Sequence, residues 1–166
     1  MKLLLQLEDV GITDVTGYRL RSAARAVALN SEGKIALMFV SNSNYYKLPG
    51  GGIEKGESLG QALAREMLEE TGCEIEVVSD LGFITELRKE SLLQISFCFL
   101  ANIIKTVQDP QFTDSEKEGG FELHWVSFAE AEKLINSSPV KRDAHINIIN
   151  KRDLCIVQEA RKILGK

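Results

Sequence analysis

The sequence has few of the residues that mark secreted or zinc-binding proteins. Its 166 residues include three cysteines, three prolines, two histidines and one tryptophan. The cysteines, Cys73, Cys98 and Cys155, are far apart and form no CxxC pair. Neither a disulfide framework nor a zinc site is therefore indicated, and we expect buried thiols in a reducing compartment.

Long apolar runs and an excess of basic charge are also missing. The N-terminal MKLLLQLEDV is too short in its apolar part for a signal peptide, and no run approaches the length that crosses a bilayer. The net charge of −4 argues against broad binding to nucleic-acid polymers or anionic membranes. We therefore expect a cytoplasmic protein that binds neither a nucleic-acid polymer nor a membrane. A small anionic substrate is still compatible with this charge, because a bound cation can reverse the local electrostatic field.

The chain does contain alternating apolar runs and turn signals, which are typical of an α/β protein. Its length fits a single domain over residues 1–166. The patterns predict strands near 18–29, 34–40, 45–48, 73–87, 91–104 and 121–128, helices over 58–70, 128–136 and 144–164, and a polar loop over 108–120. This mixture predicts an α/β sandwich.

The helix predicted over residues 58–70 carries a cluster of like charge. Glu66, Glu69 and Glu70 are related by three and four positions, so their side chains share one helix face. Repulsion among these like charges lowers the stability of the helix unless a cation lies among the carboxylates. Carboxylate oxygens suit Mg²⁺, with Mn²⁺ as a substitute, and a water polarised by such a metal becomes a nucleophile near neutral pH.

The residues around this cluster have matching chemistry. Arg65 lies four positions before Glu69 and can hold the carboxylates in place. Three consecutive glycines, Gly50, Gly51 and Gly52, can bring backbone N–H groups close to phosphate oxygens. Glu57 precedes the helix and can reach the metal or brace the loop. An ExxEE pattern alone is more typical of a solvated surface helix, so the interpretation depends on the complete spacing.

That spacing resembles the box of the Nudix hydrolases, GX5EX7REUXEEXGU, in which U is bulky and aliphatic. All seven fixed positions match in residues 51–73, where the box starts with Gly51. Met67 and Cys73 stand at the U positions, where Leu, Ile or Val is usual. The resemblance covers 23 residues of the chain, and the predicted order of strands and helices fits the family's α/β/α sandwich with a mixed β-sheet between helices.

The resemblance implies a Mg²⁺-dependent hydrolase that cleaves a pyrophosphate bond in a nucleoside di- or triphosphate derivative. By matching positions, Glu57, Glu66, Glu69 and Glu70 would bind metal, and Arg65 would orient the glutamates. The base differs among family members. It would be Glu66 here or a later acidic residue, for which the candidates are Glu116, Glu118 and Glu122, with Glu122 preferred.

Basic residues elsewhere could hold a phosphate, and Arg25 is the main candidate because it interrupts an apolar strand. Singly, each is more often solvated surface. The other candidates are Arg19, Arg21, Lys47, Arg88 and Lys89.

The sequence leaves the substrate open. Neither a proline nor a tyrosine follows the box at the positions that mark some ADP-ribose pyrophosphatases and dinucleoside polyphosphate hydrolases, which disfavours both of these activities. Small single-domain members of the family often resemble the MutT type, so the resemblance favours an activity on nucleoside triphosphates, including oxidised ones. The alternative is a catalytically silent Nudix-fold module that senses a nucleotide, although such modules typically lose box glutamates. Whether the chain forms a homodimer is also left open.

Overall fold

A computed structural model describes residues 1–9, 11–137 and 144–165. Its described part contains eight strands and four α-helices. The strands are β1 (Leu3–Glu8), β2 (Arg19–Leu29), β3 (Ile35–Val40), β4 (Tyr45–Lys47), β5 (Gly50–Gly52), β6 (Cys73–Arg88), β7 (Leu92–Thr106) and β8 (Phe121–Val126). The helices are α1 (Leu59–Thr71), α2 (Asp114–Gly119), α3 (Phe128–Ser137) and α4 (Ala144–Ile163).

The strands form one mixed sheet in the order β1-β6-β7-β2-β3-β4, with β5 paired to β2 and β8 paired to β3. The β1–β6 and β2–β7 pairs are parallel, whereas β6 and β7 form a long antiparallel pair. β7 therefore lies inside the sheet, as its apolar sequence predicts. The mixed sheet between helices confirms the predicted fold class.

Side-chain alternation along β2 divides the core into two layers. Ala24, Ala26 and Ala28 pack with Leu63 and Met67 of α1, and these small residues let the helix lie close to the sheet. On the other face, Val27 and Leu29 belong to a larger cluster that includes Ile135 of α3 and Ile156 of α4. The sheet thus separates α1 from α3 and α4.

Local signals explain where α1 begins and ends. The Ser58 side chain accepts a hydrogen bond from Gln61 N, and the Gln61 side chain accepts one from Ser58 N, which completes a capping box. Gly72 ends the helix in the left-handed conformation, with φ of 69°. The predicted start and stop of this helix are confirmed.

Three elements differ from the sequence predictions. The polar loop predicted over 108–120 contains α2, which has its own capping box from Thr113 and Glu116. Leu3–Glu8 form β1, and the three glycines form β5. None of the helices in the described ranges combines the length and the apolar content that a bilayer crossing requires.

Candidate active site

Gly50–Gly52, which form β5 and which we call the glycine loop, lie so close to α1 that a side chain on Gly51 would not fit between them. Gly51 pairs with Ala24 of β2, and a Cβ atom on Gly51 would lie 2.5 Å from both carboxylate oxygens of Glu66. Gly50 has φ of 125°, and a Cβ there would lie 2.2 Å from the carbonyl oxygen of Ala24. Glycine at these positions lets the Glu66 carboxylate lie directly against the loop backbone.

Arg65 donates hydrogen bonds to three glutamates of the box and also to the backbone of the glycine loop. Its Nε donates to Glu57 Oε1 at 2.7 Å, and one terminal nitrogen donates to Glu66 Oε1 at 2.9 Å and Glu69 Oε2 at 3.2 Å. The other terminal nitrogen donates to Glu57 Oε2 at 3.0 Å and to the carbonyl oxygen of Gly52 at 2.9 Å. The planar guanidinium therefore fixes the carboxylates relative to one another and to the loop.

Glu70 has a different set of partners. It is 1% exposed, its Oε1 accepts from Lys47 Nζ at 2.8 Å, and its Oε2 accepts from Gly50 N at 2.5 Å. The Lys47 ammonium also lies 4.6 Å from the centre of the Phe121 ring. Glu70 thus ties α1 to the start of the glycine loop.

Burial and neighbouring charge change the proton affinities in this cluster. The pKa of Glu66 is raised, mainly by its burial and then by the nearby charge of Glu70. Arg65 lowers the pKa of Glu57 through their hydrogen bond, and the same bond raises the pKa of Arg65 above its ordinary value. Glu66, which lies against Gly51, therefore holds a proton more readily than an ordinary glutamate does.

The box supplies the type of donor that a hard divalent cation prefers. In residues 1–9, 11–137 and 144–165, no three His, Cys, Asp or Glu side chains are gathered into a ready-made metal cage. Mg²⁺ usually retains several waters and takes only one or two protein carboxylates. The carboxylates of Glu66 and Glu69 both contact Arg65 and therefore lie close together. Because Gly51 has no Cβ atom, the Glu66 carboxylate has room beside the loop. These two residues therefore fit such an ion.

The candidate bases from later in the chain lie on other elements. Glu122 of β8 is exposed, and its carboxylate lies 3.4 Å from Nε2 of His124. Glu116 accepts from Thr113 within the α2 cap. Glu118 contributes its carbonyl oxygen to the Asn42 side chain. These contacts do not bring the three residues together with the box, and Glu122 stays a prediction.

Beside the glycine loop, on the α4 face of the sheet, lies a cavity of about 170 Å³. We call it the cationic recess. Four arginines and one lysine line it, and Gln94 and His145 are also part of the lining. The basic residues are Arg21, Arg25, Lys47, Arg88 and Arg152.

Buried carboxylates lie behind the cationic recess. Glu86 is 0% exposed, and it accepts hydrogen bonds from Arg88, from Arg152 at 3.3 Å and from Gln94 at 2.7 Å. Burial alone would raise the pKa of Glu86, but the charges of Arg152 and Arg88 outweigh it and lower the pKa to about 2. Asp153 pairs with Arg152 at 2.6 Å.

Arg25 is 5% exposed and donates to the carbonyl oxygen of Gly50 at 2.8 Å. Its burial, followed by repulsion from Arg152, lowers its pKa to about 10. The structure therefore brings together Arg21, Arg25, Lys47 and Arg88, which the sequence suggests singly, and places Arg19 outside the lining. Sequence analysis missed Arg152, Glu86 and Asp153. Their only signal was charge within apolar stretches of α4 and β6.

The family model for the NUDIX domain matches residues 19–147. Solved structures similar to this chain include the solution structure of the E. coli ORF135 protein, with a TM-score of 0.60 and 19% identity over 89% of this chain and 92% of that one. A NUDIX hydrolase from Nitrosomonas europaea has a TM-score of 0.59 and 22% identity over 81% and 88%. A MutT protein from Methanosarcina mazei Go1 has a TM-score of 0.56 and 21% identity over 82% and 94%.

The chain is also 42% identical over 60 residues to an RxLR effector protein of Phytophthora infestans (strain T30-4). That match covers 34% of this chain and 22% of the effector's length. The match therefore spans only about a fifth of the length of that curated relative.

Proposed function

The chain belongs to the Nudix family, and from this premise we propose that it hydrolyses a pyrophosphate bond in a nucleoside di- or triphosphate derivative. The observation that carries the proposal is the Arg65 contact with Glu57, Glu66 and Glu69, which presents the box carboxylates beside the glycine loop. The intact box favours an enzyme over the alternative, a silent nucleotide-sensing module.

The proposal gives the residues of the cluster different tasks, and Glu66 has two of them, as proton acceptor and as metal ligand. Arg65 holds the carboxylates in fixed positions relative to one another through its five hydrogen bonds. The backbone of the glycine loop orients the substrate phosphates. Glu66 accepts a proton from the attacking water, because it is held against Gly51 at the loop. Glu122 stays the second candidate for this base.

We further propose that Mg²⁺, or Mn²⁺ in its place, is held by Glu66 and Glu69 with support from Glu57 and Glu70. When bound, such a cation lowers the pKa of a coordinated water and neutralises charge on the phosphates. Lys47 limits the freedom of Glu70, because their ion pair at 2.8 Å is almost fully buried.

The test is release of phosphate or pyrophosphate from a panel of nucleotides, with Mg²⁺ and with EDTA. The panel contains canonical and oxidised deoxynucleoside triphosphates, ADP-ribose, nucleotide sugars and diadenosine polyphosphates. We expect cleavage of one group of compounds with Mg²⁺ only. The Glu69→Gln variant should lower turnover by orders of magnitude and keep its fold, because it loses a metal ligand and relieves like-charge repulsion.

Glu76→Gln provides the matched control, because Glu76 is an exposed glutamate of β6 outside the box. This variant carries the same chemical change as Glu69→Gln, and its substrate turnover should equal that of the wild-type protein. Normal turnover by folded Glu69→Gln would contradict the ligand assignment. A folded wild-type protein that binds a nucleotide and cleaves none of the panel would support the sensing module instead.

A cytoplasmic location is also part of the proposal. It is supported by the free state of Cys73, Cys98 and Cys155, none of which forms a disulfide. Burial raises the pKa of the Cys98 thiol to about 12, which keeps it protonated and unreactive.

A further inference from the structure

The cationic recess has more positive charge than its buried partners neutralise. Five basic side chains line it, whereas the described carboxylates that pair with them are Glu86, Asp153 and Glu70, and none of these three lines the cavity. Burying unneutralised charge is costly unless a ligand contributes the opposite sign. The recess is therefore suited to an anion.

Two guanidinium groups in the recess also retain hydrogen-bonding capacity. The Nε–H groups of Arg25 and Arg88 are buried and have no acceptor among the described residues. Both side chains line the cavity, and they are 5% and 4% exposed. Unsatisfied donors on nearly buried charged groups are rare in folded proteins and point to an acceptor supplied from outside.

The recess lies next to the loop that the proposed reaction uses. A Cβ atom on Gly52 would be 3.1 Å from Nη2 of Arg21, whereas Nη1 of Arg21 donates a hydrogen bond to Gln94. Lys47 lines the recess while it binds Glu70 of the box. One substrate can therefore contact the box and the recess at the same time.

The size of the recess limits what enters it. Sites that enclose whole small molecules typically have volumes of about 300–1,000 Å³, and this cavity has about 170 Å³. The space suits one functional group of a larger substrate. Arginine forks are well matched to the oxygens of a phosphate.

We propose that the cationic recess binds a phosphate of the substrate that lies outside the scissile pyrophosphate bridge. The substrate class is then a nucleotide derivative with at least one additional phosphomonoester. This assignment rests on the proposed hydrolysis and narrows its range of substrates. A recess rich in arginine selects against compounds that carry a neutral group at this position.

The experiment compares pairs of compounds that share a diphosphate and differ by one phosphate: NADPH with NADH, and coenzyme A with dephospho-coenzyme A. We expect kcat/KM to be at least about tenfold higher for the phosphorylated member of a pair, as one charge-assisted hydrogen bond would give. Direct binding of each compound is measured by calorimetry in EDTA, where no cleavage competes.

Arg21→Met tests the recess directly. Arg21 is partly exposed on β2, so removal of its charge should leave the fold intact. The preference for the phosphorylated member should fall by about tenfold in both turnover and binding, and Arg21→Lys should restore part of it. Arg19→Met removes the same charge two residues earlier on β2, outside the recess, and should leave the preference unchanged.

The outcomes separate this inference from the proposed hydrolysis. Equal binding of both members of each pair by the wild-type protein would overturn the recess assignment, even if all four compounds were cleaved. A loss of preference in Arg19→Met equal to that in Arg21→Met would also overturn it. Preferential binding of the phosphorylated members without cleavage would support the recess and contradict the hydrolase.

Discussion

At the scale of single residues, Gly51 matters because of the space it leaves. Its φ is not positive, so an alanine there would adopt the backbone conformation without strain. The added Cβ would nevertheless meet both oxygens of Glu66 at 2.5 Å. The carboxylate would have to move away from the loop.

We therefore expect Gly51→Ala to fold and to lose about 100-fold in kcat/KM, which is the scale of loss for a displacement of about 1 Å at a catalytic group. Gly60→Ala is the matched control, because a Cβ on Gly60 meets no atom within 4 Å. Gly60→Ala should keep its activity and gain about 0.5 kcal/mol of stability. Steady-state kinetics and denaturant unfolding of both variants check the prediction, and an active Gly51→Ala would contradict it.

At the scale of elements, α1 is specified locally. Ser58 and Gln61 satisfy each other's backbone N–H groups at its first turn. We expect Ser58→Ala to lower the free energy of unfolding by about 1 kcal/mol, because it leaves the N–H of Gln61 without its cap. Urea unfolding measures the change. Ser58→Asp, which retains a capping oxygen, should unfold close to wild type, and equal destabilisation of both variants would show that the cap is not the cause.

Elements whose signals are local could be predicted from the sequence. The bounds of α1 follow from Ser58 and Gly72, and the box glutamates follow from their spacing. β1 could not be predicted in the same way, because Leu3–Glu8 forms a strand only by pairing with β6, about 80 residues away. The capping box of Thr113 and Glu116 was a local signal for α2, but the polar composition of 108–120 obscured it.

The cationic recess shows the same limit at the candidate site. Arg25 stands out in the sequence because it interrupts an apolar strand, but its charged neighbours come from elsewhere in the chain. Glu86 and Arg152 are 66 residues apart and meet only when α4 packs on the sheet. Sequence patterns report periodicity within an element and do not report such pairing.

At the scale of the whole molecule, Glu86 joins the sheet to α4. Its folded pKa of about 2 lies below the ordinary value of 4.5. Ionised Glu86 therefore stabilises the folded protein fully above about pH 4.5, and this contribution is lost as the pH falls toward 2.

We expect Glu86→Gln to be destabilised by about 3–5 kcal/mol at pH 7, because Arg88 and Arg152 lose a buried counter-charge. Its stability should also fall less steeply than that of wild type below pH 4.5. Chemical denaturation from pH 3 to pH 7 measures both effects. Glu76→Gln, on the exposed part of β6, should follow the wild-type curve. A Glu86→Gln curve parallel to wild type at low pH would contradict the assignment.

The parallel pairing of β2 with β7 determines the order in which the chain can fold during synthesis. Arg19 pairs with Leu92 and Leu29 pairs with Asn102, so β2 leaves the ribosome 73 residues before its partner. At translation rates of about 5–20 residues per second, β2 waits about 4–15 s for β7. During that interval the glycine loop and α1 have been made, but the sheet on which they are positioned is incomplete. The box is therefore synthesised early and assembled late, once the β6–β7 hairpin gives β2 its parallel neighbour.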